Sequence, residues 1–308
     1  MDSLTARWPQ LRHALPRVDL EVRETPVERW ELEGMSLLVK RDDLTTPTLG
    51  GNKARALELL LAGVGRDDVL LTVGSTGSTH ALAVAHFGAR LGARTEVITW
   101  PQEEHDVSLA TAARLREIAR VTTAWSPPTA MLRATARRVF RRVRWIPAGG
   151  SSPLGALGHA AAALELADQL GREHAPPPDT LVVPLGSGGT AAGLLVGLAL
   201  ARRAAALFGE RAGVAAPAID EARFAMEDTQ YGGAYARETH ASRTSQELML
   251  EREGPPLEGT YSAKALAAAL AHARAAPAER VLYWLTFDGR WIAGRAIGRR
   301  SGAHREGE

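Results

Sequence analysis

The chain has 308 residues, 45% hydrophobic and 23% charged, with no cysteine and a formal net charge of +2. That length holds two domains of ordinary size or one large one, and the composition is that of a globular chain with a well-buried core. Without cysteine there are no disulfides, thiolate metal sites or cysteine nucleophile, which fits a reducing compartment, and the small net charge gives no argument for nucleic acid. Residues 1–20 lack the apolar centre of a signal peptide, and no apolar run reaches membrane-spanning length, so a cytoplasmic chain without a membrane partner is expected.

Along the chain, strand-like and helix-like stretches alternate, which predicts an α/β protein with mostly parallel strands. A short strand is predicted at 36–40 and a helix at 52–64, with Leu57, Leu60, Leu61 and Val64 on one face. An apolar strand at 69–73 leads through a Gly/Ser/Thr turn at 74–79 into a helix at 80–91. Strands at 95–100 and 121–124 alternate with helices at 108–118 and 129–142, and 144–147 closes this run. An alanine-rich helix follows at 155–170, then a stiff loop at 174–179 containing Pro176, Pro177 and Pro178. A strand at 180–184 enters a glycine-rich loop and another helix. Pro255 and Pro256 mark a further loop, 263–273 reads as a helix, 280–286 as a strand and 301–308 as a frayed tail. Arg133, Arg137, Arg138, Arg141, Arg142 and Arg144 read as a solvated helix face, because no stacking aromatics interleave them.

Among 37 basic residues only Lys40, Lys53 and Lys264 are lysines. Lysine, unlike arginine, can lose its proton when buried and act as a nucleophile toward carbonyl compounds, so a lysine kept in an arginine-rich chain draws attention. Gly186-Ser187-Gly188-Gly189-Thr190 lies between a predicted strand and a helix. Such a loop can converge backbone N–H groups on a phosphate, or it can be a tight turn. It lacks the Gly-Lys-Ser/Thr of a P-loop and the spacing of a dinucleotide fingerprint. Gly74 to His80 offers hydroxyls at a helix start, suited to a carboxylate or to simple capping by Ser78 or Thr79. Gly149 to Gly155 can form a hinge or line a cleft. The nine histidines show no metal-ligand spacing, and His80 is the one placed near a candidate site.

Together these segments resemble the D-cysteine desulfhydrase / 1-aminocyclopropane-1-carboxylate deaminase family of fold-type II, tryptophan-synthase-β-like pyridoxal phosphate enzymes. The resemblance rests on Lys40-Arg41-Asp42-Asp43-Leu44 with Gly50-Gly51-Asn52-Lys53-Ala54-Arg55, on 74–80, 149–155 and 186–190, on Tyr231-Gly232-Gly233-Ala234-Tyr235, and on Thr260-Tyr261-Ser262-Ala263-Lys264. It implies two open-sheet α/β domains with pyridoxal 5'-phosphate in the cleft between them. The large domain would comprise 1–64 and 161–308, and the small inserted domain 65–160. Lys53 would carry the cofactor, beside Asn52. Gly186, Ser187, Gly188, Gly189 and Thr190 would hold its phosphate, with Thr79, Ser262 and Thr286 also beside it. Ser78, Thr79, His80, Tyr235 and Tyr261 would face the substrate, with Lys53, Ser78, Tyr235 and Tyr261 carrying the chemistry. No metal is implied, and a homodimer is.

The family pattern reads Gln-Ser-Asn where this chain has Gly77-Ser78-Thr79, a His-Thr-Gly-Gly type sequence where it has Leu285-Thr286-Phe287-Asp288-Gly289, and a longer segment between Thr190 and Tyr231. Cyclopropane-opening members tend to carry an acid after the second tyrosine, and here that position is Ser262. The expectation is therefore β-elimination from a small amino acid, giving a 2-oxo acid and ammonia. Cyclopropane ring opening is the alternative within the family. A diverged homologue that binds the cofactor or an amino acid without turnover is the alternative of another class.

Overall fold

The computed structural model describes residues 3–208 and 225–292, so the tail predicted at 301–308 and part of the segment between Thr190 and Tyr231 lie outside the described residues. Two short helices, α1 (Ser3–Arg7) and α2 (Leu11–Ala14), precede a hairpin of β1 (Val27–Leu32) and β2 (Met35–Arg41). Leu32 pairs with Met35 across Glu33 and Gly34, both at positive φ (50° and 77°), a two-residue turn whose twist matches that of paired strands.

One sheet has the order β1-β2-β8-β7, with β7 (Thr180–Val182) and β8 (Val281–Leu285) parallel to β2. Every residue of β8 is buried, and alternate residues serve opposite faces. Val281, Tyr283 and Leu285 pack with Met249 of α9 (His240–Glu251) and with Leu266 and Leu270 of α10 (Ser262–Ala275). Leu282 and Trp284 pack with Leu166 and Leu170 of α7 (Pro153–Arg172) and with Leu194 and Leu198 of α8 (Gly189–Phe208). Coverage on both faces explains why β8 reads as one unbroken apolar run.

The second sheet is all parallel, in the order β5-β4-β3-β6: β3 (Val69–Ser75), β4 (Arg94–Trp100), β5 (Arg120–Thr123) and β6 (Arg144–Trp145). Leu70 and Val97 meet Ala81, Val84 and Phe87 of α4 (Thr79–Arg90) and Leu115 of α5 (Asp106–Ile118). Leu71, Val73 and Ile98 meet Ala130 and Ala134 of α6 (Pro127–Phe140) on the other face. The chain moves outward from β3 to β5, then crosses back to lay β6 on the free edge of β3. Loops 74–79 and 147–152 therefore flank a crevice at the carboxyl ends of β3 and β6, the place where open α/β sheets take ligands. The arginines of α6 are engaged within the chain. Arg137, together with Arg141 just past the helix end, converges on Glu96 (3.1 and 3.7 Å), and Arg138 stacks over Trp145 at 5.2 Å.

Each predicted strand and helix is present, with ends shifted by a residue or two. The helix at 52–64 is the exception: α3 (Lys53–Leu60) closes earlier, before Gly63 at φ 72°. The hairpin strand β1 and the helices α1, α2 and α9 lie outside the predicted elements.

Beneath α3 lies a closed set of four buried charges. Arg55 donates to Asp42 (2.8 and 3.0 Å) and to both oxygens of Glu165 (2.9 and 3.0 Å). Lys40 donates to Glu165, to Gln169 and to the Thr25 carbonyl, each at 2.6 Å. The Trp284 indole donates to Asp42 at 2.8 Å and the Thr25 hydroxyl to Asp42 at 2.9 Å. Formal charges cancel, and the group joins β2, α3, α7 and β8. The helices touch closely there, since a Cβ on Gly158 of α7 would sit 2.2 Å from the Arg55 carbonyl oxygen. Burial pushes the Glu165 carboxyl upward, but Arg55 and Lys40 overcome it and bring it down to about 2.

Removing one member leaves an uncompensated buried charge, a loss of about 3–5 kcal/mol. Glu165→Leu is predicted to lower unfolding stability by that amount in urea titration, and a loss below about 1 kcal/mol would remove the cluster from the account. Because the folded pKa of Glu165 is depressed, its contribution is complete above its unfolded value of 4.5 and is lost as pH falls toward 2. Wild-type stability should fall across that acid window, and the fall should be shallower in the variant.

Candidate functional site

Five of the loops that carry predicted site residues leave carboxyl ends of parallel strands: 42–52 after β2, 74–79 after β3, 147–152 after β6, 183–190 after β7 and 286–289 after β8; Tyr235 and Tyr261 come instead from the segments that lead into α9 and α10. Lys53 is the first residue of α3 and is partly buried. Burial lowers its amine to about 8, and among the described residues no carboxylate pairs with it. The other lysines differ. Lys40 is fully buried in the charge cluster, and Lys264 donates to the Tyr231 carbonyl at 2.8 Å. Of the three, only Lys53 is free to react.

Asn52 gathers the neighbouring pieces. Its side-chain amide donates to the Thr190 hydroxyl at 2.7 Å and its backbone N–H to the Thr286 carbonyl at 3.0 Å. The lysine, the start of α8 and the end of β8 are thereby held together. Two buried histidines flank Lys53, and burial, then the lysine, lowers both to about 3, so both are neutral. His80 lies under the 74–79 loop with its Nε2 3.2 Å from the Thr72 hydroxyl. His159, on α7, was not singled out from sequence.

Residues 186–190 form the turn into the 20-residue helix α8, whose first backbone N–H groups have no partner within the helix. Gly188 has φ 83°, and a Cβ on Gly186 would approach the Tyr261 ring to 2.9 Å. Ser151 donates to the Ser187 hydroxyl at 2.6 Å, so the loop after β6 braces the glycine loop. A glycine backbone, a long helix start, two hydroxyls and an amine without a counter-charge fit a phosphorylated aldehyde cofactor.

Opposite stand two tyrosines. The hydroxyls of Tyr235 and Tyr261 are 2.8 Å apart, their rings meet edge to face at 6.1 Å, and Ser75 Oγ lies 3.5 Å from Tyr235. Burial, then Tyr235, raises Tyr261 far above the usual phenol range, so its hydroxyl stays protonated at neutral pH and can donate a hydrogen bond. The Glu258 carboxylate, also missed from sequence, accepts from the N–H groups of Thr260 (2.7 Å), Tyr261 (3.0 Å) and Ser262 (2.5 Å), fixing the start of α10. The Ser262 hydroxyl donates to the Glu258 carbonyl (3.1 Å) and accepts from its N–H (3.0 Å). Ser262 is thus engaged in the cap. Ser78 caps α4 by accepting from Ala81 N–H at 3.2 Å, and Thr79 follows it, partly buried. Thr286 is buried against Asn52, and Asp288, another residue missed from sequence, accepts from Gly50 N–H at 2.8 Å.

An amine that titrates near 8 is about a tenth neutral at pH 7, against roughly one part in 3,000 for an ordinary lysine. The rate at which pyridoxal phosphate adds covalently to the cofactor-free chain is predicted to rise with pH and level off above about 8. A rate still climbing tenfold per unit at pH 9.5 would contradict the lowered amine.

Residues 18–286 match the family model described as pyridoxal-phosphate dependent enzyme. Over 286 residues, 82% of this chain and 86% of the relative, the chain is 32% identical to a D-cysteine desulfhydrase of Serratia proteamaculans. Over 200 residues it is 36% identical to a putative 1-aminocyclopropane-1-carboxylate deaminase of Pyrococcus furiosus, a match spanning 61% of this chain and 60% of that protein. The crystal structure of an ACC deaminase homologue superposes with a TM-score of 0.70 at 27% identity, covering 94% of this chain and 97% of the other. With fold, lysine and glycine loop in agreement, the chain belongs to the pyridoxal-phosphate dependent enzyme family, within its fold-type II architecture.

Proposed function

We propose that the chain catalyses β-elimination from a small amino acid, in the manner of a D-cysteine desulfhydrase. For D-cysteine the balance is one water consumed and one pyruvate, one sulfide and one ammonia released. The observation that carries this reading is Lys53, a buried amine lowered to about 8 with no anionic partner among the described residues, tied through Asn52 to the glycine loop. Bound pyridoxal phosphate supplies the electron sink for the α-carbon.

The chain's own residues do the rest. The backbone of 186–190, the start of α8 and the Ser187 and Thr190 hydroxyls hold the phosphate, and Asn52 and Thr286 set the lysine beside it. Thr79 borders the cofactor. Ser78, Thr79 and the open N–H groups at the start of α4 receive the substrate carboxylate, with neutral His80 beneath them. The Lys53 amine takes the α-proton, since its pKa near neutrality suits a general base. Tyr261, paired with Tyr235, donates a hydrogen bond to the departing sulfur. Ser262 brings no acid to the site, which favours elimination over ring opening. The two sheets are read as two domains, with the small one at 65–160. A cytoplasmic location, supported by the absence of cysteine, and a homodimer complete the reading.

Purified protein loaded with pyridoxal phosphate is tested with D-cysteine and with 1-aminocyclopropane-1-carboxylate, alongside Lys53→Ala. Equal amounts of sulfide and pyruvate from D-cysteine, with a loss of at least about 1,000-fold in the variant, are predicted. A four-carbon 2-oxo acid from the cyclopropane without sulfide from D-cysteine would replace elimination by ring opening. A change in visible absorption with neither product would leave a binding role.

A further inference from the structure

The two walls of the cleft meet at one imidazole. His105 precedes α5 and caps it: Ser108 N–H donates to His105 Nδ1 at 3.3 Å, and His105 N–H donates to Ser108 Oγ at 2.9 Å. On its other side, Nε2 lies 3.1 Å from the hydroxyl of Thr260, the residue before Tyr261. Because Nδ1 accepts, the neutral ring carries its proton on Nε2 and donates to Thr260.

Ser108 in turn supports the 74–79 loop. Gly77 has φ 81°, and a Cβ there would lie 2.6 Å from the Ser108 Cα and carbonyl oxygen. No side chain fits between them. A continuous path therefore runs from Ser78 through Gly77, Ser108 and His105 to Thr260 and Tyr261. Two other contacts cross the same gap. Ser75 Oγ meets Tyr235 at 3.5 Å, and Arg237 pairs with Glu103 at 3.1 Å. The ion pair is half exposed and contributes little.

We propose that His105 is a positioning residue that sets the spacing between Ser78 on one wall of the site and Tyr261 on the other, and so governs how tightly an amino acid is held between them. The proposal rests on reading this cleft as an amino-acid site.

Protonation would place a hydrogen on Nδ1, opposite the Ser108 N–H, and break the cap. Burial lowers His105, while Glu238 from across the gap and Asp106 and Glu103 from its own segment oppose that shift. Arg237 engages Glu103, and Lys264 lies within electrostatic reach of Glu238 and Glu103. The joint is thus complete above the ordinary histidine range and is lost as pH falls below about 6.5.

Two variants separate the bridge from the cap. Thr260→Val removes the acceptor and leaves both His105 and the cap. His105→Asn keeps a good capping residue but cannot span to Thr260. In the holoenzyme, both are predicted to raise KM for D-cysteine about 3- to 10-fold, the worth of one hydrogen bond, with kcat within about twofold and the visible absorption of the bound cofactor unchanged. The wild-type KM should climb below pH 6.5, and that climb should be absent in His105→Asn, which has no imidazole to protonate.

Backbone hydrogen exchange of the cofactor-free protein gives a reading independent of turnover. Exchange at 259–262 should quicken about threefold or more in Thr260→Val while α5 is unaltered. Unchanged KM in both variants, or exchange at 259–262 equal to wild type, overturns the proposal. Absence of turnover in wild type would sink the elimination reading alone, and the exchange comparison would still decide the role of His105.

Discussion

The placement of Lys53 depends on four buried charges that cancel. Arg55 sits two positions after the lysine on α3, locked between Asp42 and Glu165, and Lys40 closes the set from β2. Such a group costs much to desolvate and tolerates no missing member, so it fixes geometry more than it adds stability. Because it grips α3 from β2, α7 and β8 at once, the first turn of that helix has one position. The amine at its start can then be left buried with no carboxylate paired to it among the described residues, and burial brings it near 8. Of three lysines, one anchors this cluster and one holds a loop.

The remaining geometry follows from parallel strands. Their carboxyl ends in both sheets supply the loops that carry Asn52, Ser78, Ser187 and Thr286, while Tyr235 and Tyr261 come from the segments leading into α9 and α10; helices α4 and α8 begin at strand ends with open N–H groups. A phosphate and a carboxylate are the two anions of the proposed chemistry, and each has a helix start to receive it. Hydrogen bonds then couple the loops pairwise: Asn52 with Thr190, Ser151 with Ser187, Ser75 with Tyr235. The site is a meeting of loops from distant parts of the chain, set by the scaffold beneath.

What the sequence disclosed was local. The apolar run 281–285, the glycine turn at 186–190 and the capping serine at 78 each carry their signal within a few residues, and the lysine motif is compact. What it withheld was of two kinds. The strand β1 sets two charges, Glu28 and Arg29, side by side at a sheet edge and so breaks the alternation of a strand, and α9 shows few apolar residues, so neither had a strong period. Glu165, His159, Glu258, Asp288 and His105 act through packing or hydrogen bonds whose logic appears only once the chain is folded. Glu165 meets Lys40 across 125 residues and His105 meets Thr260 across 155, separations at which spacing carries no information. Ser262 shows the converse. Its place after the second tyrosine suggested contact with the cofactor, and the fold engages its hydroxyl in the Glu258 cap.

The most direct measurement is borohydride reduction of the protein incubated with pyridoxal phosphate, followed by peptide mapping by mass. The account predicts one phosphopyridoxyl group per chain, on Lys53, with Lys40 and Lys264 unlabelled. A label on Lys264, or none on any lysine, would contradict it.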